Sequence, residues 1–166
     1  PDRFVCFLSI NPHDKRENIL AELQRMYDAG IRGIKLINAY QGYPSDGPVL
    51  WTLYEFAAAR KLIVLNHSWG SNETINLIAS TFPDMTMIIG HHTDGADDLL
   101  WKFPNLYLCT WSFVIPYQIE KAIKRIGADK MLFGSDAIIN PFSAGLGPVV
   151  FARISDDEKR KVLGLN

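Results

Sequence analysis

The sequence predicts an α/β fold on a parallel sheet, and three observations lead there. Six short apolar runs alternate with longer segments of helical spacing. The runs are continuously apolar, as expected of strands buried on both faces of a parallel sheet. Alternation of this kind builds βα units. Six units in 166 residues fall short of a closed (β/α)8 barrel, which takes roughly 250 residues. An open doubly wound sheet is the competitor. No glycine-rich phosphate loop follows any run, which weakens the nucleotide-binding version of that sheet.

The predicted strands are Phe4–Ile10, Gly33–Ile37, Leu62–Asn66, Thr86–Gly90, Leu106–Cys109 and Lys130–Phe133. Helices are expected between them over Glu17–Ala29, Pro48–Arg60, Ser71–Thr81, Ala96–Trp101 and Pro116–Ile126, with a last one over Ser155–Leu163. In the first, Ile19, Leu20, Leu23, Met26 and Tyr27 recur at spacings of three and four and form one apolar face. Gly30 follows as its left-handed terminator. Ser155 and Glu158 have the spacing of a capping box. Asn140–Pro148, rich in proline and glycine, is expected to be a long loop of the kind that often serves an active site. No domain boundary is visible, so residues 1–166 are expected to form one domain.

Composition excludes several classes. Seventeen basic residues stand against 18 acidic ones, a net charge of −1. A nucleic-acid binder needs a basic excess or stripe, so none is expected as a partner. The longest apolar runs, Leu62–Leu65 and Met85–Ile89 among them, are far too short to span a bilayer. No signal-like apolar segment opens the sequence. Cys6 and Cys109 both lie in apolar runs and read as buried, reduced thiols, which fits a cytoplasmic protein. The chain opens at Pro1 without methionine and closes at Asn166 without a tail, so a piece cut from a longer protein is expected.

The informative residues are polar and sit where strands end. Lys35 precedes the end of the second run, His67 follows the third, His91 and His92 follow the fourth, and Asp136 follows the sixth. Ligands of parallel α/β folds meet the carboxyl ends of the strands. Imidazole and carboxylate are ligand types for zinc and similar ions. Each residue also has a plainer reading. His67 alone is as well read as a core histidine. His91 and His92 point to opposite faces if both continue a strand, so one at most faces the centre. Asp136 has the chemistry of a cap, Lys35 that of a strand-end side chain reaching solvent. His13, in a loop, reads as bland, and Trp69 and Trp111 lie close to strand ends but read as core. The joint occurrence on successive strands raises the functional reading.

Taken in order, Gly30–Leu36, Ala57–His67, Phe82–His91, Asn105–Leu108, Gly127–Asp136 and Asp157–Asn166 resemble the amidohydrolase-related metal-dependent hydrolases. That branch of the amidohydrolase superfamily also holds the aminocarboxymuconate-semialdehyde and resorcylate decarboxylases. Leu132-Phe133-Gly134-Ser135-Asp136 is the most specific piece. The resemblance implies a TIM-type (β/α)8 barrel in which Phe4–Ile10 is the third strand, so the fold is incomplete, with six units present and the first two missing. It implies that His67 is the fifth-strand metal ligand and Asp136 the eighth-strand ligand and proton shuttle. His91 matches the sixth-strand histidine that serves the substrate or the bound water, with His92 as the substitute if the register moves by one. Lys35 sits at the fourth strand, where a carboxylated lysine bridges two metals in some amidohydrolases. In this branch it usually does not, so one divalent ion per site, zinc first, is expected. The family's first strand carries a His-x-His pair, and this sequence contains none.

Three readings follow. The first is a metal-dependent hydrolase of a small molecule, in which His67 and Asp136 hold the ion with residues outside this chain, Asp136 takes the proton from water, and His91 stabilises the charge developing on a carbonyl. The second is a metal-dependent decarboxylase of an aromatic or unsaturated carboxylic acid, which aromatics near the strand ends would favour. The third is a non-catalytic scaffold domain. A homo-oligomer is compatible with all three.

Overall fold

A computed structural model describes residues 3–91, 95–111, 113–137 and 139–166. The chain divides into two compact units, Pro1–Ile89 with Phe103–Leu106, and Gly90–Lys102 with Tyr107–Asn166. Among the described residues the strands pair in parallel.

The first unit holds β1 (Phe7–Leu8), α1 (Arg16–Asp28), β2 (Gly33–Leu36), α2 (Pro48–Ala59), β3 (Ile63–Asn66), α3 (Asn72–Thr81) and β4 (Thr86–Ile89). Its strands pair in chain order, Phe7 beside Gly33, Gly33 beside Ile63 and Ile63 beside Thr86. The amphipathic face predicted for α1 is buried at Ile19 and Leu23. A Schellman motif ends the helix: the Gly30 amide donates to the Tyr27 carbonyl and the Ile31 amide to that of Met26, both at 3.0 Å, with Gly30 at φ +95°. Pro48 occupies the first turn of α2, where its missing N–H costs nothing. Behind the sheet, Tyr54 packs against Trp69 and Phe82 with ring centroids 5.7 and 5.8 Å away. Burial pushes the Tyr54 phenol far above its ordinary titration range, and its hydroxyl donates to the Ser45 carbonyl at 2.8 Å.

The second unit holds α4 (Ala96–Lys102), most of β5 (Leu106–Cys109), α5 (Gln118–Ile126), β6 (Met131–Leu132), α6 (Phe142–Val150) and α7 (Asp156–Arg160). β5 and β6 pair with Leu108 beside Met131. Asp97 of α4 meets Arg125 of α5 at 2.8 Å, and the Trp101 indole donates to the Arg125 carbonyl at 2.6 Å. The capping box at Ser155 and Glu158 forms as expected.

Three expectations change. The strand predicted over Phe4–Ile10 shrinks to two residues, with Phe4 and Val5 each 81% exposed. The ladder of β1 is with β2, so residues that the pairing does not reach gain nothing from extending. Asn140–Pro148 is not a loop but largely the helix α6, with Pro148 inside it. Tertiary packing overrides propensity there: Val149 is fully buried, and Gly145 lies so close to Ser135 that a Cβ would stand 2.7 Å from its Cα. Not every strand is buried on both faces, although β4 is, at Met87, Ile88 and Ile89. In β3, Val64 and Asn66 are fully buried whereas Ile63 and Leu65 are half-buried. The thiols differ likewise, with Cys6 exposed and Cys109 half-buried. No helix among the described residues is long and apolar enough to cross a membrane.

Candidate active site

His67 comes directly after β3. Side chains alternate along a strand, so His67 falls with Ile63 and Leu65 on the half-open face. Its amide donates to the Leu36 carbonyl at 3.0 Å, which carries the β2–β3 ladder one residue past the strand and holds His67 in strand geometry. Tyr40 meets its ring edge-on, centroids 4.7 Å apart. Lys35 lies beside Leu65 in register and so shares that face. Its ammonium donates to the Leu36 carbonyl at 3.3 Å.

On the opposite face of the same strand ends, polar groups tie loops down. The Asn38 amide donates to the Tyr43 carbonyl at 2.7 Å and to Ser45 Oγ at 3.2 Å. The Asn66 amide donates to the same Oγ at 3.4 Å, and Asn66 Oδ1 accepts the Ser68 amide. Trp69, 1% exposed, donates from its indole to the Ile88 carbonyl at 2.9 Å. The segment bearing His67 is therefore fixed on both sides. A carbonyl only accepts, so His13 Nε2 carries the proton and donates to the Gln41 carbonyl at 2.6 Å. That makes His13 a loop tie, as its plain reading expects.

In the second unit, His91 follows β4 and is half-buried. The Trp111 indole donates to His91 Nε2 at 2.6 Å, with the rings edge to face and centroids 5.5 Å apart. Asp136 follows β6 with its backbone in the left-handed region, φ +49°. Asn140 closes on it twice. Its amide donates to the Asp136 carbonyl at 3.1 Å, and its side chain to Oδ2 at 3.4 Å. A left-handed non-glycine residue is costly and is held only where surroundings over-determine it, often at functional sites. His92 lies outside the described residues.

A cavity of about 180 Å³ opens beside these groups. Trp111, Phe113, Val114 and Ala144 give it apolar walls, and Thr110 and Asn140 its polar ones. The residue that bonds His91 and the residue that bonds Asp136 thus line one cavity. The Thr110 hydroxyl accepts the Gly134 amide at 3.2 Å. Glycine at 134 is required by space, because a Cβ there would collide with Cys109 Sγ.

The family resemblance implies a divalent ion. His67 and Asp136 have the right donor chemistry, imidazole nitrogen and carboxylate oxygen. The count falls short: among the described residues, no three histidine, cysteine, aspartate or glutamate side chains come together as a metal site. A catalytic zinc takes three protein ligands, and the described residues bring no such set together.

Sequence reasoning missed two contributors. Trp111 read as core, and only its indole N–H, which needs an acceptor when half-buried, hinted otherwise. Asn140 lay in the segment taken for a loop. No local signal announces a side chain that closes back on an aspartate four residues earlier.

No curated protein matches the sequence. Among solved structures, an uncharacterized TIM-barrel protein from Bordetella bronchiseptica is 23% identical with a TM-score of 0.80, over 99% of this chain and 65% of that one. A 2,6-dihydroxybenzoate decarboxylase from Rhizobium is 18% identical with a TM-score of 0.74, over 98% of this chain and 69% of that one. A dihydroxybenzoic acid decarboxylase from Polaromonas, with bound manganese and an inhibitor, is 18% identical with a TM-score of 0.67, over 89% and 63%. At such identities the likeness shows the fold, an α/β barrel of which this chain spans about two thirds. The amidohydrolase family profile matches residues 1–166. The chain belongs to the amidohydrolase family.

Proposed function

We propose that this chain forms part of a divalent-metal enzyme acting on the carbonyl or carboxyl carbon of a small molecule. The observation that carries the reading is that Trp111 and Asn140, the partners of His91 and Asp136, line the same cavity. The family resemblance makes His67 and Asp136 each a candidate donor to such an ion, zinc first and manganese second, with the remaining ligands outside the described residues. Such an ion polarises a bound oxygen and makes water a nucleophile at neutral pH. In the hydrolytic version, Asp136 accepts the proton of the attacking water and His91 donates a hydrogen bond to the oxygen that gains charge.

A second reading is decarboxylation. The flat aromatic and apolar walls of the cavity, Trp111 and Phe113 above all, favour a planar acid, and two of the similar structures are decarboxylases of dihydroxybenzoates or dihydroxybenzoic acid. The test is to assay the protein with added zinc or manganese for ester and lactone cleavage and, in parallel, for carbon dioxide release from aryl carboxylic acids. Cleavage that disappears on chelation supports hydrolysis. Carbon dioxide release without cleavage replaces it with the second reading. Turnover that survives a chelator overturns both.

A further inference from the structure

The hydrogen bond between Trp111 and His91 has a direction that geometry alone decides. An indole N–H only donates. At 2.6 Å from Trp111 Nε1, His91 Nε2 must therefore accept, and an imidazole nitrogen accepts only when it carries no proton. The ring's single proton is then on Nδ1. Protonating Nε2 would set two N–H groups against each other at hydrogen-bond distance.

We infer that Trp111 is a positioning residue that holds His91 as the neutral Nδ1–H tautomer, so that His91 acts as a hydrogen-bond donor through Nδ1 and not as a base through Nε2. The edge-to-face packing, with planes 85° apart and centroids 5.5 Å apart, fixes the ring's orientation as well as its proton. This narrows the roles open to His91. A base needs a lone pair directed at the proton it takes, within about 2.6–3.2 Å, and the one lone pair available for that is occupied by the indole. A neutral donor polarising an oxygen is the role left. The orienting group on the far nitrogen commonly sets which tautomer a histidine presents; here that group is an indole.

The tautomer is read without turnover, so the inference and the proposed reaction fail separately. In 15N-labelled protein, long-range proton–nitrogen correlation spectra of the His91 ring are expected to show a protonated Nδ1 and an unprotonated Nε2. A scalar coupling across the hydrogen bond between Trp111 Nε1 and His91 Nε2 is expected in the same sample. In Trp111→Phe, which keeps an aromatic ring and loses the donor, the His91 signals should move toward the Nε2–H form. A His91 ring that carries its proton on Nε2 in the unsubstituted protein overturns the inference, as does an unchanged tautomer in Trp111→Phe. Should that variant fail to fold, the coupling in the unsubstituted protein decides: its presence upholds the bond and its absence removes it. Once a substrate is in hand, His91→Asn, whose amide N–H lies where Nδ1–H was, should keep more activity than His91→Gln, whose amide reaches the Nε2 position. The reverse order counts against the donor role.

Discussion

The strand ends of the two units are built differently. In the first, the segment after β3 is tied from both faces. Asn38, Ser45 and Asn66 knit the loops on one side, and Trp69 is sunk among Tyr54 and the Ile88 carbonyl. In the second, the groups after β4 and β6 are each held by one or two side-chain bonds, Trp111 on His91 and Asn140 on Asp136, around an open cavity. The first arrangement spends polar groups on fixing backbone. The second leaves His91 and Asp136 half-buried, with Trp111 and Asn140 among their partners.

The contrast is open to direct attack. The largest effect is expected in the second unit. Asp136→Asn should cut turnover by about 10⁴-fold, the upper end for loss of a proton-transfer group, while the thermal transition followed by circular dichroism stays close to that of the parent. Undiminished activity would remove Asp136 from the chemistry. In the first unit the reverse is expected: Trp69→Ala should cost roughly 3–5 kcal/mol in urea unfolding, because it empties a fully packed site and removes a donor from the Ile88 carbonyl. A cost below about 1 kcal/mol would mean the segment after β3 is looser than its contacts imply.

Two glycines of α6 sharpen the comparison. Gly145→Ala places a methyl against the Ser135 backbone and should destabilise by about 1–3 kcal/mol. Gly147→Ala meets nothing within 4 Å and should stabilise the helix by about 0.5–1 kcal/mol. Equal effects would mean that α6 does not rest on Ser135.

The last expected effect concerns pH. Burial raises the Tyr54 phenol in the folded chain, whereas in the unfolded chain it titrates near its ordinary value of about 10. Above that pH the unfolded chain gives up a proton that the folded one keeps, so stability falls as pH rises. Below it, the contribution is fully present. Tyr54→Phe should flatten the alkaline loss by up to about 1.4 kcal/mol per pH unit, and unchanged steepness would assign the alkaline loss to other groups.

Much of this molecule was legible in its sequence. The α1 periodicity, the Gly30 terminator and the Ser155 capping box depend on residues within a few positions of one another, so local chemistry determines them. The alternation of runs and helices determined the βα order for the same reason. The strand-end positions of His67, His91 and Asp136 were visible because a strand's end is itself a local signal. Tertiary structure decided the rest. Whether Asn140–Pro148 coils or winds into α6 turns on the fit of Gly145 against Ser135, a contact made ten positions away. Whether Phe4–Ile10 extends turns on how far its neighbour pairs with it. The proton on His91 turns on Trp111, twenty residues distant in the chain. Periodicity and caps report energies between neighbours in sequence, while a close approach, a ladder or a tautomer is set by groups that only folding brings within reach.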